Sequence, residues 1–151
     1  TAAGCQLAAS CDLAVASHEA SFATPGVHIG LFCSTPMVAL SRKVAPTHAM
    51  EMLLTGDPCK AERAAEIGLV NYAVPADQLT DTVMEMARKI ASKSTATVSF
   101  GKPAFYRQLE RPLVEAYEFA AEVMVSNMLA RDAEEGISAF IEKRHPNWTD
   151  S

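Results

Sequence analysis

The chain has 151 residues, 49% hydrophobic and 21% charged, with 7 Gly, 8 Pro and a net charge of −5. That length supports one domain with a real core, and the composition excludes a disordered or collagen-like chain. The acidic balance argues against nucleic-acid binding, which needs a basic surface. No apolar run approaches the ~20 residues of a membrane helix, so no membrane partner is expected.

The charge is unevenly placed. Residues 1–50 carry only Asp12, Glu19, Arg42 and Lys43, so the whole net charge lies in the later part. A nearly uncharged first third reads as buried structure, and the remainder reads as solvated helices. The opening Thr1-Ala2-Ala3-Gly4 has neither initiator Met nor leader pattern, which leads us to expect a piece of a longer protein.

In chain order, Ala3-Gly4 permits a tight turn and Cys5 to Cys11 reads as a short helix of small residues. Leu13 to Ala16 is a short apolar run suited to a buried strand, and Ser21 to Thr24 is a second strand stopped by Pro25-Gly26. Residues 26–35 lack helical periodicity and read as a loop. Thr35 is expected to cap a helix with Pro36 at its first position, running to about Val44. Pro46 opens another helix, ending at Thr55-Gly56. Lys60 to Ile67 forms a short helix stopped by Gly68, and Leu69 to Val74 a strand. Leu79, Val83, Met86, Ala87 and Ile90 recur at helical spacing. A helix follows between Thr95 and Leu109, bent at Pro103. A long amphipathic helix spans 112–130. Asp132 is expected to cap a last helix, with Glu135 completing a capping box. The fold class is α/β, and the early strands need partners.

The cysteines at 5, 11, 33 and 59 form no C-x-x-C pair and no zinc-finger spacing, so buried reduced thiols in an intracellular protein are the reading, with no metal. His18, His48 and His145 show no partner pattern and are expected at the surface.

The run Ala3-Gly4-Cys5-Gln6-Leu7-Ala8-Ala9-Ser10-Cys11-Asp12-Leu13, with Ala20-Ser21-Phe22, resembles the enoyl-CoA hydratase/isomerase (crotonase) superfamily. Leu54-Thr55-Gly56-Asp57, Gly68-Leu69-Val70 and Val74-Pro75 match its next block; Arg131-Asp132, Glu135-Gly136, Ala139-Phe140 and Glu142-Lys143-Arg144 match its C-terminal signature. The resemblance implies the C-terminal part of a crotonase-like fold. Residues 1–75 would complete the core, and residues 76–151 would be a helical region for oligomerisation and CoA contacts. It further implies an acyl-CoA partner, CoA entering only as part of the substrate, and a homotrimer or a hexamer of trimers. The compartment would be the mitochondrial matrix or the bacterial cytoplasm.

The resemblance also implies roles for particular residues. The Ala3 backbone N–H would be one of two oxyanion-hole donors, at a helix N-terminus suited to negative charge. Gln6 and Gly26 stand where the family's hydratases carry glutamates. Neither can exchange a proton near neutral pH, so efficient hydration is not expected. A Gln6→Glu, Gly26→Glu pair is expected to recover part of it if the loop around His28 keeps the family geometry. His28 is a candidate replacement base, with an ordinary loop histidine as the alternative. Cys33 reads as a buried thiol rather than a nucleophile. Phe140 and Lys143, three apart on one helical face, would contact the adenine and phosphate end of CoA, or else be a core aromatic and a solvated charge. Three functions follow: an acyl-CoA enzyme with unusual acid–base groups, a non-catalytic acyl-CoA-binding or regulatory protein, or a structural, oligomerising piece.

Overall fold

The computed structural model describes all residues, Thr1–Ser151, as two compact units, Thr1–Glu85 and Met86–Ser151. No helix is long and apolar enough to cross a membrane.

In the first unit, α1 (Ala3–Ser10) packs on α2 (Ser34–Lys43), whose last residue donates from Nζ to the Cys11 and Asp12 carbonyls at 2.8 and 2.9 Å. The small side chains of α1, with Cys5 and Ala9 buried, allow the close approach. Strand β1 (Val15–Ser17) pairs in parallel with β4 (Tyr72–Val74), Ala16 opposite Ala73. Strand β2 (Ser21–Phe22) pairs antiparallel with β3 (Cys59–Lys60), Phe22 opposite Cys59. Helices α3 (Pro46–Thr55) and α4 (Ala61–Glu66) complete a core centred on Leu40, Leu53, Leu69 and Ala64. Pro46 at the start of α3 and left-handed Gly56 after it set the expected bounds.

Several local expectations are corrected. Residues 25–29 form a 3₁₀ turn rather than open loop. Helix α2 begins at Ser34, so Thr35 is not its cap and Pro36 is the third helical residue, where the first turn still has no N–H partner to lose. The strands are shorter and shifted because ladder pairing, not apolar content, sets their ends. His18 is at the surface but has a partner, Glu62, at 2.7 Å across 44 positions of sequence.

Helix α5 (Leu79–Ala91) leads into the second unit, which holds α6 (Thr95–Leu109), α7 (Leu113–Met128) and α8 (Arg131–Glu142). Helix α6 continues through Pro103. Asp132 is not the cap of α8; Ala130 is, and Asp132 lies buried in the first turn. Its carboxylate accepts from the Thr149 N–H and hydroxyl (2.8 and 3.0 Å) and the Asp150 N–H (3.0 Å). Glu135 accepts from the Asn147 N–H at 2.7 Å and from both terminal nitrogens of Arg144, at 2.6 and 3.0 Å. The final segment is thereby strapped back along α8, with Trp148 seated against Gly136 and its indole N–H donating to the Ser92 carbonyl at 3.0 Å.

These bonds favour the ionised carboxylates. The Arg144 guanidinium and the Asn147 N–H hold Glu135 down at about 2, and the Ser94 hydroxyl with the Thr149 N–H lowers Asp132. A depressed folded-state value gives stability that is full above the ordinary carboxylate range and lost as pH falls through the folded value. Fluorescence of the single tryptophan, Trp148, is therefore expected to report release of the strap on acidification from about pH 4.5 toward 2. In Glu135→Gln the release is expected to be present in part already at neutral pH; an identical titration in wild type and variant would contradict the assignment.

Candidate functional site

The N-terminus of α1 is held by an unusual turn. Ala2 sits at φ 46°, ψ −110°, a sparsely populated conformation for a residue with a Cβ. It is fixed by three bonds: the Ala2 N–H to the Ala23 carbonyl (2.8 Å), the Gly4 N–H to Thr1 (2.9 Å) and the Gln6 N–H to Ala2 (2.9 Å). The Ala3 N–H, first in the helix, has no partner among them. An unpaired helix N-terminal donor carries the positive end of the peptide dipoles.

Opposite lies the segment that runs from β2 into α2. The buried Thr24 hydroxyl donates to the Met52 carbonyl at 2.9 Å, and His28 Nε2 bonds the Thr55 carbonyl at 2.9 Å, stitching the segment to the last turn of α3. The Leu31 N–H donates to the Gly26 carbonyl (2.9 Å), and the Gly26 N–H to Cys33 Sγ (3.3 Å), so residues 26–33 curl around Gly26.

Between them is a cavity of about 620 Å³, within the range of small-molecule sites. Its walls include Ala3, Gln6, Gly26 and His28, with apolar surface from Leu31 and Phe32. The lining residues include no carboxylate, lysine or arginine. Four of the sequence-derived candidates thus converge on one site from positions 3 to 28. Cys33 also lines it, its sulfur engaged by Gly26. All four cysteines are free, but only Cys5 and Cys59 are buried, which raises their thiols. The expectation of buried thiols is corrected at Cys11, which is exposed, and at Cys33, which is half-buried on the cavity wall.

Phe140 and Lys143 belong to the second unit. Phe140 is 85% exposed and takes no part in the core of this unit. Lys143 does not continue the helical face: it is the left-handed residue (φ 54°) that closes α8, its N–H bonded to Phe140. The expectation of one shared helical face is corrected accordingly.

The enoyl-CoA hydratase/isomerase family model matches residues 1–151. The chain belongs to the enoyl-CoA hydratase/isomerase family. It is 54% identical over 149 residues to enoyl-CoA hydratase domain-containing protein 3, mitochondrial, of Rattus norvegicus, covering 99% of this chain and 50% of the relative. The human protein of that name is 54% identical over 148 residues, covering 98% and 49%. The crystal structure of human enoyl-CoA hydratase domain-containing protein 3 superposes with a TM-score of 0.93, covering 97% of this chain and 58% of that one. An enoyl-CoA hydratase from Mycobacterium smegmatis, 51% identical, gives 0.95 over 97% and 57%. The architecture is therefore the C-terminal part of the crotonase fold, and the chain spans about half the length of the curated relatives it matches.

The site geometry changes one expectation. A Cβ on Gly26 would come within 2.8 Å of the Leu31 carbonyl oxygen and 2.9 Å of Cys33 Sγ. A side chain at residue 26 would therefore require the loop to shift, so the Gly26→Glu change is expected to restore acid–base function only where residues 31–33 give way. Gln6→Glu, nearly isosteric and half-buried, is expected to fold like the parent. Gly26→Ala is expected to cost about 1–3 kcal/mol by overpacking, read by thermal or denaturant unfolding. Equal stabilities for the two variants would contradict this account of the loop.

Proposed function

We propose that the cavity is the thioester site of an acyl-CoA-binding protein linked to fatty-acid metabolism, with the Ala3 N–H as an oxyanion donor. The observation that carries the reading is the convergence of that unpaired N–H with Gln6 and Gly26 on one largely apolar cavity, in a chain of this family. An acyl thioester presents one polar oxygen and an apolar chain, which matches one donor among hydrophobic walls. Gln6 and Gly26 would stand at the positions of the hydratase glutamates, so conventional hydration is weak or absent. Lining residues without a carboxylate favour either an enzyme with other acid–base groups or a non-catalytic acyl-CoA-binding relative.

Phe140 and Lys143 would meet the adenine and phosphate end of CoA, the exposed ring stacking and the ammonium pairing. Exposed apolar residues on α7 and α8, among them Leu113, Tyr117, Met128 and Ile141, support a trimer or a hexamer built from trimers. Relatives at 54% identity carry "mitochondrial" in their names, which supports the mitochondrial matrix over a bacterial cytoplasm.

The test compares the intact protein, of which this chain is a part, with a glutamate-bearing relative. The protein is expected to bind crotonyl-CoA but hydrate it at least ~10³-fold more slowly. Efficient hydration would refute the assignment of Gln6 and Gly26, and absence of binding would leave only the structural reading. Lys143→Ala is expected to weaken CoA-thioester binding by about 1 kcal/mol or more, with a loss that shrinks in high salt; unchanged affinity would make Lys143 a solvated helix terminus only.

A further inference from the structure

The Arg144 side chain is occupied in a way that leaves its neighbour free. Helix α8 closes through two bonds that commonly end a helix, the Lys143 N–H to the Phe140 carbonyl at 3.3 Å and the Arg144 N–H to the Ala139 carbonyl at 3.0 Å. The left-handed position of such a closure usually holds Gly, yet here it holds Lys143, at φ 54° and ψ 39°. That conformation is unfavourable for a residue with a Cβ, so a tertiary bond has to support it. The Arg144 guanidinium supplies that bond. Its two terminal nitrogens reach back to the two Glu135 oxygens at 2.6 and 3.0 Å, and its Nε donates to Glu142. A forked pair of this kind fixes direction as well as distance.

The same contacts sort the charges at the end of α8. Glu142 precedes Lys143 directly in the chain and is the carboxylate placed to compete for its ammonium. With Glu142 and Glu135 both engaged by Arg144, the exposed Lys143 side chain has no partner within the chain. One cation is committed to the protein's own anions, and the adjacent one is left for an anion from outside.

We propose that Arg144 is a positioning residue for the phosphate-bearing end of the ligand, keeping the Lys143 ammonium available by holding Glu142 away from it. This rests on the CoA reading of Phe140 and Lys143 above. Arg144 itself, committed to two carboxylates and the His145 carbonyl, does not bind the phosphate.

The test uses the intact protein and calorimetry with two ligands, butyryl-CoA and butyryl-pantetheine, which shares the thioester but lacks the adenine and phosphates. The ratio of the two affinities isolates the nucleotide end. Wild type is expected to favour butyryl-CoA at least ~10-fold. Lys143→Gly, which suits the left-handed closure and removes the ammonium, is expected to lower the ratio at least ~5-fold, and Arg144→Gln, which releases Glu142, to lower it similarly. Adding Glu142→Gln to Arg144→Gln is expected to restore most of the ratio, because no released carboxylate then competes for Lys143. A merely structural arginine would not be rescued by that second change, so a ratio that stays low in the double variant overturns the proposal, as does a ratio unchanged in Arg144→Gln. A wild-type ratio near one refutes the CoA reading of Phe140 and Lys143, and failure of both ligands to bind refutes the thioester reading; each overturns the proposal and is told apart from the variant outcomes. Should Arg144→Gln not fold, Arg144→Lys, whose single ammonium cannot serve Glu135 and Glu142 together, is measured in its place, alone and with Glu142→Gln, against the same outcomes.

Discussion

The last turn of a helix leaves carbonyls short of helical partners, and at α3 these carbonyls, of which that of Met52 also receives the Gly56 N–H, organise the site. Thr24 and His28 donate to the Met52 and Thr55 carbonyls, anchoring the chain that leaves β2. From the same stretch, the Ala23 carbonyl receives the Ala2 N–H and holds the strained turn that opens α1. Gly26 meanwhile binds Cys33, which sets the start of α2. Both walls of the cavity thus hang from residues 23–28. The unfavourable Ala2 conformation, of order 1–3 kcal/mol in such cases, persists because bonds on both sides determine it.

The second unit solves a different problem with related means. Its helices have little fully buried apolar surface of their own, Ala116 and Ala139 being the buried aliphatic residues. Order at the end of the chain comes instead from two carboxylates of α8 that collect backbone donors of the terminal segment. Ser94 works twice, its hydroxyl accepting from the Thr97 N–H to cap α6 and donating to Asp132. A buried carboxylate is tolerated here because the Ser94 hydroxyl, the Thr149 N–H and hydroxyl and the Asp150 N–H all donate to it.

Features governed by local chain chemistry were readable from the residues. Pro46 and Gly56 bracket α3, and α6 runs over Thr95 to Leu109 as its residues suggest. Features that depend on distant partners were not. Asp132 has the spacing of a capping box, yet its carboxylate serves Thr149 and Asp150, and no spacing rule reports an 18-residue return of the chain. Lys143 looks helical in the pattern Phe140-x-x-Lys143, but the chain turns there through a left-handed residue that is usually Gly or Asn. At the site, Ala3, Gln6, Gly26 and His28 were identifiable individually. What could not be read was the contact of the Leu31 carbonyl with the volume above Gly26, because it depends on the curl of residues 26–33.

That contact links the fold to the chemistry. A carboxylate in an apolar cavity is costly unless charged or hydrogen-bonded partners accompany it, and this chain lines the cavity with the Gln6 amide and with the loop around Gly26. A site without its own anions also does not oppose negative charge developing on a ligand. On the thioester reading, the same substitutions that remove the means of activating water reduce the electrostatic cost of an enolate.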